Sequence, residues 1–403
     1  MNKNAYNPYI RVGTTYYIKH KKRLLSGDVV EYLVPWSLGT IKQDHGRDCH
    51  QILKTIPKYI GFCNVPDHLN YKRSIDGEYN RYEALVVSAV QGEFDLIISF
   101  LRHIFREHFE LAIDYLTILY QKPMQMLPIL CLVSQLRNTG KTTFLNLLKE
   151  IFGNNMTFNN NEDFRSNFNS SWVNKLIIAV DEVLLDRKED SEKLKNLSTA
   201  RSYKIESKGV DRTEVEFYGK FVLCSNNEDD FIYIDPLETR YWIRRVPPLE
   251  STDPFMLDKL KAQVPAFVYF LQTRQIASEK KSRMWFAPED LVTDALLRIK
   301  NRFRNKAEFE LLEIFSEIMD CYEIDELHFT NKDAIDLLRN NNIRVHRGEV
   351  KRILGNLNLR VQANAFNYTA YRYDSSGVLY HFPTKGRYCS IDRAKIEETL
   401  MIC

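Results

Sequence analysis

Leu130-Cys131-Leu132-Val133-Ser134-Gln135-Leu136-Arg137-Asn138-Thr139-Gly140-Lys141-Thr142-Thr143 is the stretch on which the fold turns, and Phe144-Leu145-Asn146-Leu147-Leu148 completes it. The apolar run Leu130 to Val133 fits a buried strand, the polar run after it fits a loop, and Phe144, Leu147 and Leu148 fit an amphipathic helix. The first N–H groups of a helix lack partners and carry partial positive charge, so they suit a polyphosphate. Gly140 lets the backbone approach closely. Lys141 would reach the β- and γ-phosphates of ATP, and the Thr142 hydroxyl would hold Mg²⁺. Asn138, Thr139 and Thr143 complete the candidate nucleotide-binding set. The usual first glycine of GxxxxGK[ST] is Gln135 here. The strand before and the helix after therefore carry the reading as much as the pattern does.

Forty residues after Lys141, the strand-like run Lys175-Leu176-Ile177-Ile178-Ala179-Val180 ends in Asp181-Glu182. Asp181 is expected to hold Mg²⁺ through its water shell, and Glu182 to polarise the attacking water. The next strand, Lys220 to Ser225, runs into Asn226, a polar tip suited to orienting the same water. Glu238-Thr239-Arg240-Tyr241-Trp242-Ile243-Arg244-Arg245 follows. Arg240 reads as an arginine finger stabilising transition-state charge in a neighbouring subunit, with Arg244 and Arg245 as other candidates.

Lys141, Asp181, Asn226 and Arg240 fall in an order that resembles the superfamily-3 helicases, a viral and plasmid branch of the AAA+ ATPases. More narrowly, the chain resembles the helicase part of phage and plasmid primase–helicases related to the poxvirus-type primase–NTPase. The resemblance implies an α/β P-loop NTPase (AAA+-like) motor. It further implies a homo-oligomeric ring, expected to be a hexamer, with single-stranded DNA in a central pore.

The same resemblance implies that the hairpin between the second and third motifs grips the strand. Here that segment is Tyr203 to Phe217, with Lys208-Gly209 near its tip, and Lys208, Lys204 and Arg212 would contact phosphates. The primase half is not visible in the chain, so a separate primase or polymerase would supply priming.

Outside the motor the sequence is less specific. The 403 residues are 44% apolar and 27% charged with a net charge of +3, so any nucleic-acid case must come from local patches. No apolar leader opens the chain, and the run around Leu127 to Val133 falls far short of the ~20 residues of a membrane span. The expectation is a protein without a membrane partner in the cytoplasm, the host's if the element is viral. Seven cysteines without a CxxC pair read as reduced thiols, and Cys49, His50, Cys63 and His68 match no zinc-finger spacing. Residues 1–90 read as an α+β region of open role, 91–125 as a helical collar and 126–290 as the motor.

Residues 306–403 read as a winged helix-turn-helix. Thr330 is expected to cap a helix with Asp333 at its third position, and Arg347, Lys351 and Arg352 to face DNA from the next helix. Between Thr330 and Tyr373 eight Lys or Arg stand against three Asp or Glu. The function expected from all this is an ATP-dependent replicative DNA helicase of a phage, virus or plasmid. An ATP-switched origin initiator, a packaging or loading ATPase, and an RNA substrate are the competing readings.

Overall fold

The structure, a computed structural model, describes residues 7–23, 29–166, 169–207, 210–235, 238–341, 343, 345–374 and 377–401. The chain divides into two compact units: Met1–Tyr233 with Thr239–Leu296, and Ile234–Glu238 with Leu297–Cys403.

The first unit is built on a five-stranded sheet. Its strands are β1 (Ile129–Val133), β2 (Met156–Asn159), β3 (Ile177–Val180), β4 (Lys220–Ser225) and β5 (Tyr241–Arg245), in the order β5-β1-β4-β3-β2. Every pairing is parallel. β1 and β3 are buried along their whole length, which is why they read as unbroken apolar runs rather than alternating ones. Parallel pairing also puts the C-terminal ends of β1, β3 and β4 at one end of the sheet. Asp181 and Asn226 follow β3 and β4 there, beside the 134–140 loop that leaves β1.

Helices α1 (Asp95–Phe105) and α2 (Phe109–Gln121) lie within 91–125, the span read as helical from the sequence. Both share a core with the sheet and with α3 (Lys141–Phe152) and α5 (Met256–Thr273); α4 (Lys188–Ser198) lies between β3 and β4 in sequence. Phe105 stacks on Trp242 of β5 at 5.3 Å between ring centres, so α1 is fixed directly to the sheet. Between α4 and β4 an antiparallel hairpin, Ser202–Ser207 with Val210–Glu216, departs from the sheet.

The region read from the sequence as α+β, residues 1–90, holds both strands and short helices. Thr15–Arg23 pairs with Val29–Trp36 in a four-stranded sheet completed by Tyr9–Val12 and Lys58–Tyr59. Buried amides tie this region to the segments around the parallel sheet: Asn64 donates to the Asn174 carbonyl, and Asn155 both donates to and accepts from the Glu83 backbone. Among the described residues no helix is long and apolar enough to cross a membrane.

The second unit has its own core. It is formed by Leu311, Leu312, Phe315 and Ile318 of α6 (Asp294–Cys321) with residues of β6 (Glu326–Phe329), α7 (Asn331–Asn340), α8 (Arg347–Asn356), β7 (Phe366–Tyr373) and β9 (Cys389–Asp392). β7 pairs with β8 (Leu379–Gly386) as a hairpin, and β6 pairs antiparallel with β9. Thr330 and Asp333 form a reciprocal capping box at the start of α7. β7 begins only at Phe366, and Leu359 bonds back to Leu354 at the end of α8.

Candidate nucleotide site

The 134–140 loop is held from several sides. The Gln135 N–H donates to Glu228 Oε1 at 3.0 Å, and the Leu136 N–H donates to Ser134 Oγ at 3.2 Å. His103 Nε2 of α1 donates to the Thr139 carbonyl at 3.1 Å, and the Leu249 N–H donates to the Asn138 carbonyl at 2.9 Å. Asn138 has φ of 54° and Gly140 has φ of 90°, so the chain passes twice through the left-handed region before α3 begins. At Gly140 a Cβ would lie 2.9 Å from Phe100 Cε2, so this position needs glycine for space as well as conformation. Gln135, in contrast, is exposed and bonds Glu228 through its backbone. A glycine is not required there.

Gly140 caps α3 without a side-chain hydrogen bond, so no side chain caps the first turn. Lys141 is buried. Its Nζ donates to Thr139 Oγ1 at 3.2 Å and reaches the Ser134 carbonyl at 3.4 Å. Burial pushes its ammonium below the ordinary value, while Asp181 and Glu228 pull it back. An anion bound at the loop would act in the same direction as those carboxylates.

Thr142 Oγ1 donates to Asp181 Oδ2 at 2.8 Å, although the two residues are 39 apart in sequence. A hydroxyl and a carboxylate oxygen side by side are hard donors suited to Mg²⁺. Glu182 is exposed and has φ of 55°, an uncommon conformation for a residue with a side chain. Asn161 holds this turn: its Nδ2 donates to the Glu182 carbonyl at 3.5 Å, and its Oδ1 accepts from the Leu184 N–H at 2.9 Å. Asn226 is exposed just past β4, and Thr143 is half-buried in the first turn of α3.

The three arginines differ in position. Arg244 is buried, donating to the Phe105 carbonyl at 3.0 Å and pairing with Glu107 at 2.8 Å, so it fastens β5 to the C-terminal end of α1. Arg245, at the C-terminal end of β5, donates through Nε to Glu228 Oε1 at 3.0 Å. Arg240 precedes β5 and lies at the opposite end of the sheet, where its carbonyl accepts from the Ile129 N–H.

Nothing in the local sequence marks Glu228. It is 5% exposed and receives both the loop N–H and Arg245. A carboxylate just past a strand tip carries no sign of its own burial, so only the fold identifies it. His103 is similar, because its position on an amphipathic helix does not reveal which carbonyl it meets.

Of the residues expected at nucleic acid, Lys204 is exposed on the hairpin. Lys208 and the Arg212 side chain lie outside the described residues. Arg347 and Lys351 are exposed on α8, whereas Arg352 is half-buried and pairs with Asp235 at 3.4 Å. Among the described residues no cluster of three His, Cys, Asp or Glu could hold a metal ion, and His68 instead contacts Tyr82 and Tyr120.

Residues 132–245, running from within β1 to the end of β5, match a family of unknown function (DUF5906). No curated protein matches the chain. Solved structures do. The apo C-terminal region of NrS-1 (305–718) aligns with a TM-score of 0.62 at 16% identity, covering 95% of each chain. An A-form apo structure of the same region aligns with a TM-score of 0.59 at 16% identity, covering 94% of each. The fold is similar to that of the NrS-1 C-terminal region. That similarity takes in the N-terminal sheets and the C-terminal unit as well as the parallel sheet.

Proposed function

We propose that the protein is an ATP-hydrolysing motor of the superfamily-3 helicase type that translocates on single-stranded DNA during replication of a phage, virus or plasmid. The observation that carries this reading is the meeting of Thr142 with Asp181 beside Lys141. A loop built for an anion and a strand-end carboxylate converge on one point. Such convergence suits phosphoryl transfer, where catalysis is mainly positioning and charge stabilisation.

In this reading the loop N–H groups and Lys141 hold the phosphates of ATP. Thr142 and Asp181 would hold Mg²⁺, which neutralises charge on the phosphate oxygens when bound. Glu182 takes the proton of the attacking water, and Asn226 orients that water. Asn161 keeps Glu182 in its left-handed conformation, so the carboxylate is positioned in advance. The hairpin with Lys204 and Lys208 contacts the strand. The second unit, read as a winged helix, presents Arg347 and Lys351 to DNA.

The test is ATP hydrolysis by the full chain with and without single-stranded DNA. We expect hydrolysis stimulated by DNA in the wild type, and a loss of at least about 10²-fold in Glu182→Gln with nucleotide binding retained. A wild type that binds ATP but never hydrolyses it would leave a nucleotide-gated binding protein and sink the motor. Turnover stimulated by duplex without strand separation would instead favour a packaging or loading ATPase.

A further inference from the structure

A cavity of about 370 Å³ opens at the root of the hairpin, on the side of the sheet where β4 begins. Its walls include Arg201, Lys220, Lys280 and Arg283, with Glu216 as the acidic member. Arg201 and Glu216 flank the two arms, since Ser202 pairs with Glu216 at the first rung of the hairpin. Arg201, Lys280 and Arg283 are exposed, and no side-chain hydrogen bond or ion pair engages any of them among the described residues. Lys220 is 2% exposed and donates to the carbonyls of Pro123 and Tyr218.

Four cations around one cavity repel each other, and an ammonium buried among carbonyls rather than carboxylates is costly. Burial pushes the Lys220 ammonium down to about 7. An anion in the cavity would relieve both costs. Met124 and Met126 also line it, and their thioethers give an adaptable apolar surface beside the charges. Charge with a flexible apolar wall suits a phosphate carrying an organic group better than it suits a cationic or neutral ligand.

We propose that this cavity is a phosphate-binding site, and that it takes a backbone phosphate of the single strand where that strand passes the hairpin root. The choice of strand rests on the motor reading; the phosphate chemistry does not. Free phosphate is the other source of the same group.

The experiment uses the full chain and two probes, fluorescently labelled oligo(dT) followed by anisotropy and inorganic phosphate followed by calorimetry. The triple variant Arg201→Glu, Lys280→Glu, Arg283→Glu is compared with Lys54→Glu, an exposed charge reversal outside the cavity. All three changes are at exposed positions, so folding can be checked independently by circular dichroism. We expect the triple variant to bind oligo(dT) at least about tenfold more weakly. The salt slope should become shallower by about 0.7 for each phosphate that no longer meets a cation. The Lys54 control should change little.

Loss of calorimetric phosphate binding with oligo(dT) binding intact would keep the anion site but overturn the strand as its source. Equal binding of both probes by wild type and triple variant, or no binding by either, overturns the site altogether. ATP hydrolysis is measured in parallel. Its absence in the wild type both without and with DNA would count against the motor, not against the cavity.

Discussion

His68 Nδ1 lies 2.6 Å from the Tyr120 carbonyl oxygen, and Nε2 lies 2.6 Å from the Tyr82 hydroxyl. The carbonyl can only accept, so Nδ1 carries the proton and Nε2 accepts from Tyr82. Protonating Nε2 would remove that acceptor in a largely buried setting, and burial holds the ring down to about 4. The unfolded chain takes up the same proton near 6.5. Between those values the unfolded state binds more protons. Stability therefore falls as the pH drops from about 6.5 towards 4, and this group has no effect above that window. The loss amounts to up to about 3 kcal/mol. His68→Gln can keep a donor and an acceptor without titrating. Urea midpoints measured between neutral and mildly acidic pH should therefore fall less steeply in His68→Gln than in the wild type. Parallel slopes would mean that His68 does not carry this part of the acid sensitivity.

At the scale of elements, α1 shapes the loop that it does not belong to. Phe100 fills the space into which a Cβ at position 140 would project, and His103 fixes the Thr139 carbonyl. Gly140→Ala therefore meets both backbone strain and a clash, and should destabilise the first unit by about 2–4 kcal/mol while weakening ATP binding. Adding Phe100→Leu should restore part of the stability, because it removes the clash and leaves the strain. Denaturation of the two single variants and the double variant tests this; strictly additive losses would show that the two side chains do not compete for space. The strand-loop-helix around Gly140 is legible in the sequence because it depends on local apolar periodicity and one glycine. So are the helical character of α1 and α2 and the Thr330–Asp333 box. The pairing of β6 with β9 is not, since its partners stand far apart in the chain and carry no shared pattern. β2 is hidden for a related reason: Met156–Asn159 is short, and only its alignment beside β3 makes it a strand. The cavity at the hairpin root joins Met124, Arg201, Lys220 and Arg283 from four separate segments, and local sequence cannot announce such a meeting.

At the scale of the molecule, the parallel sheet separates Arg240 from the loop of its own chain. Arg240 stands before β5, and the loop leaves the far end of β1, the strand paired with β5 in register Tyr241 to Ile129 and Arg245 to Val133. Five residues of strand span about 16 Å, well beyond the reach of an arginine side chain. If Arg240 serves an ATP site, that site belongs to another copy of the chain, which requires a head-to-tail interface of the kind that closes into rings. Arg245, at the loop's end of the sheet and held by Glu228, is placed to act within its own subunit. These positions separate two outcomes. Arg240→Ala and Glu182→Gln should each abolish most hydrolysis when assayed alone, the finger being worth about 10³–10⁵ in rate. Mixed in equal amounts and allowed to exchange, they should regain activity, because an Arg240→Ala subunit has an intact water site and its Glu182→Gln neighbour supplies the finger. Random mixing completes a site only where those two subunits stand in that order, so recovery to roughly a quarter of the wild-type rate is expected. Sedimentation with ATP present should show the assembly under the same conditions. No recovery from a mixture whose subunits demonstrably exchange would place the function of Arg240 within its own subunit and remove the argument for shared sites.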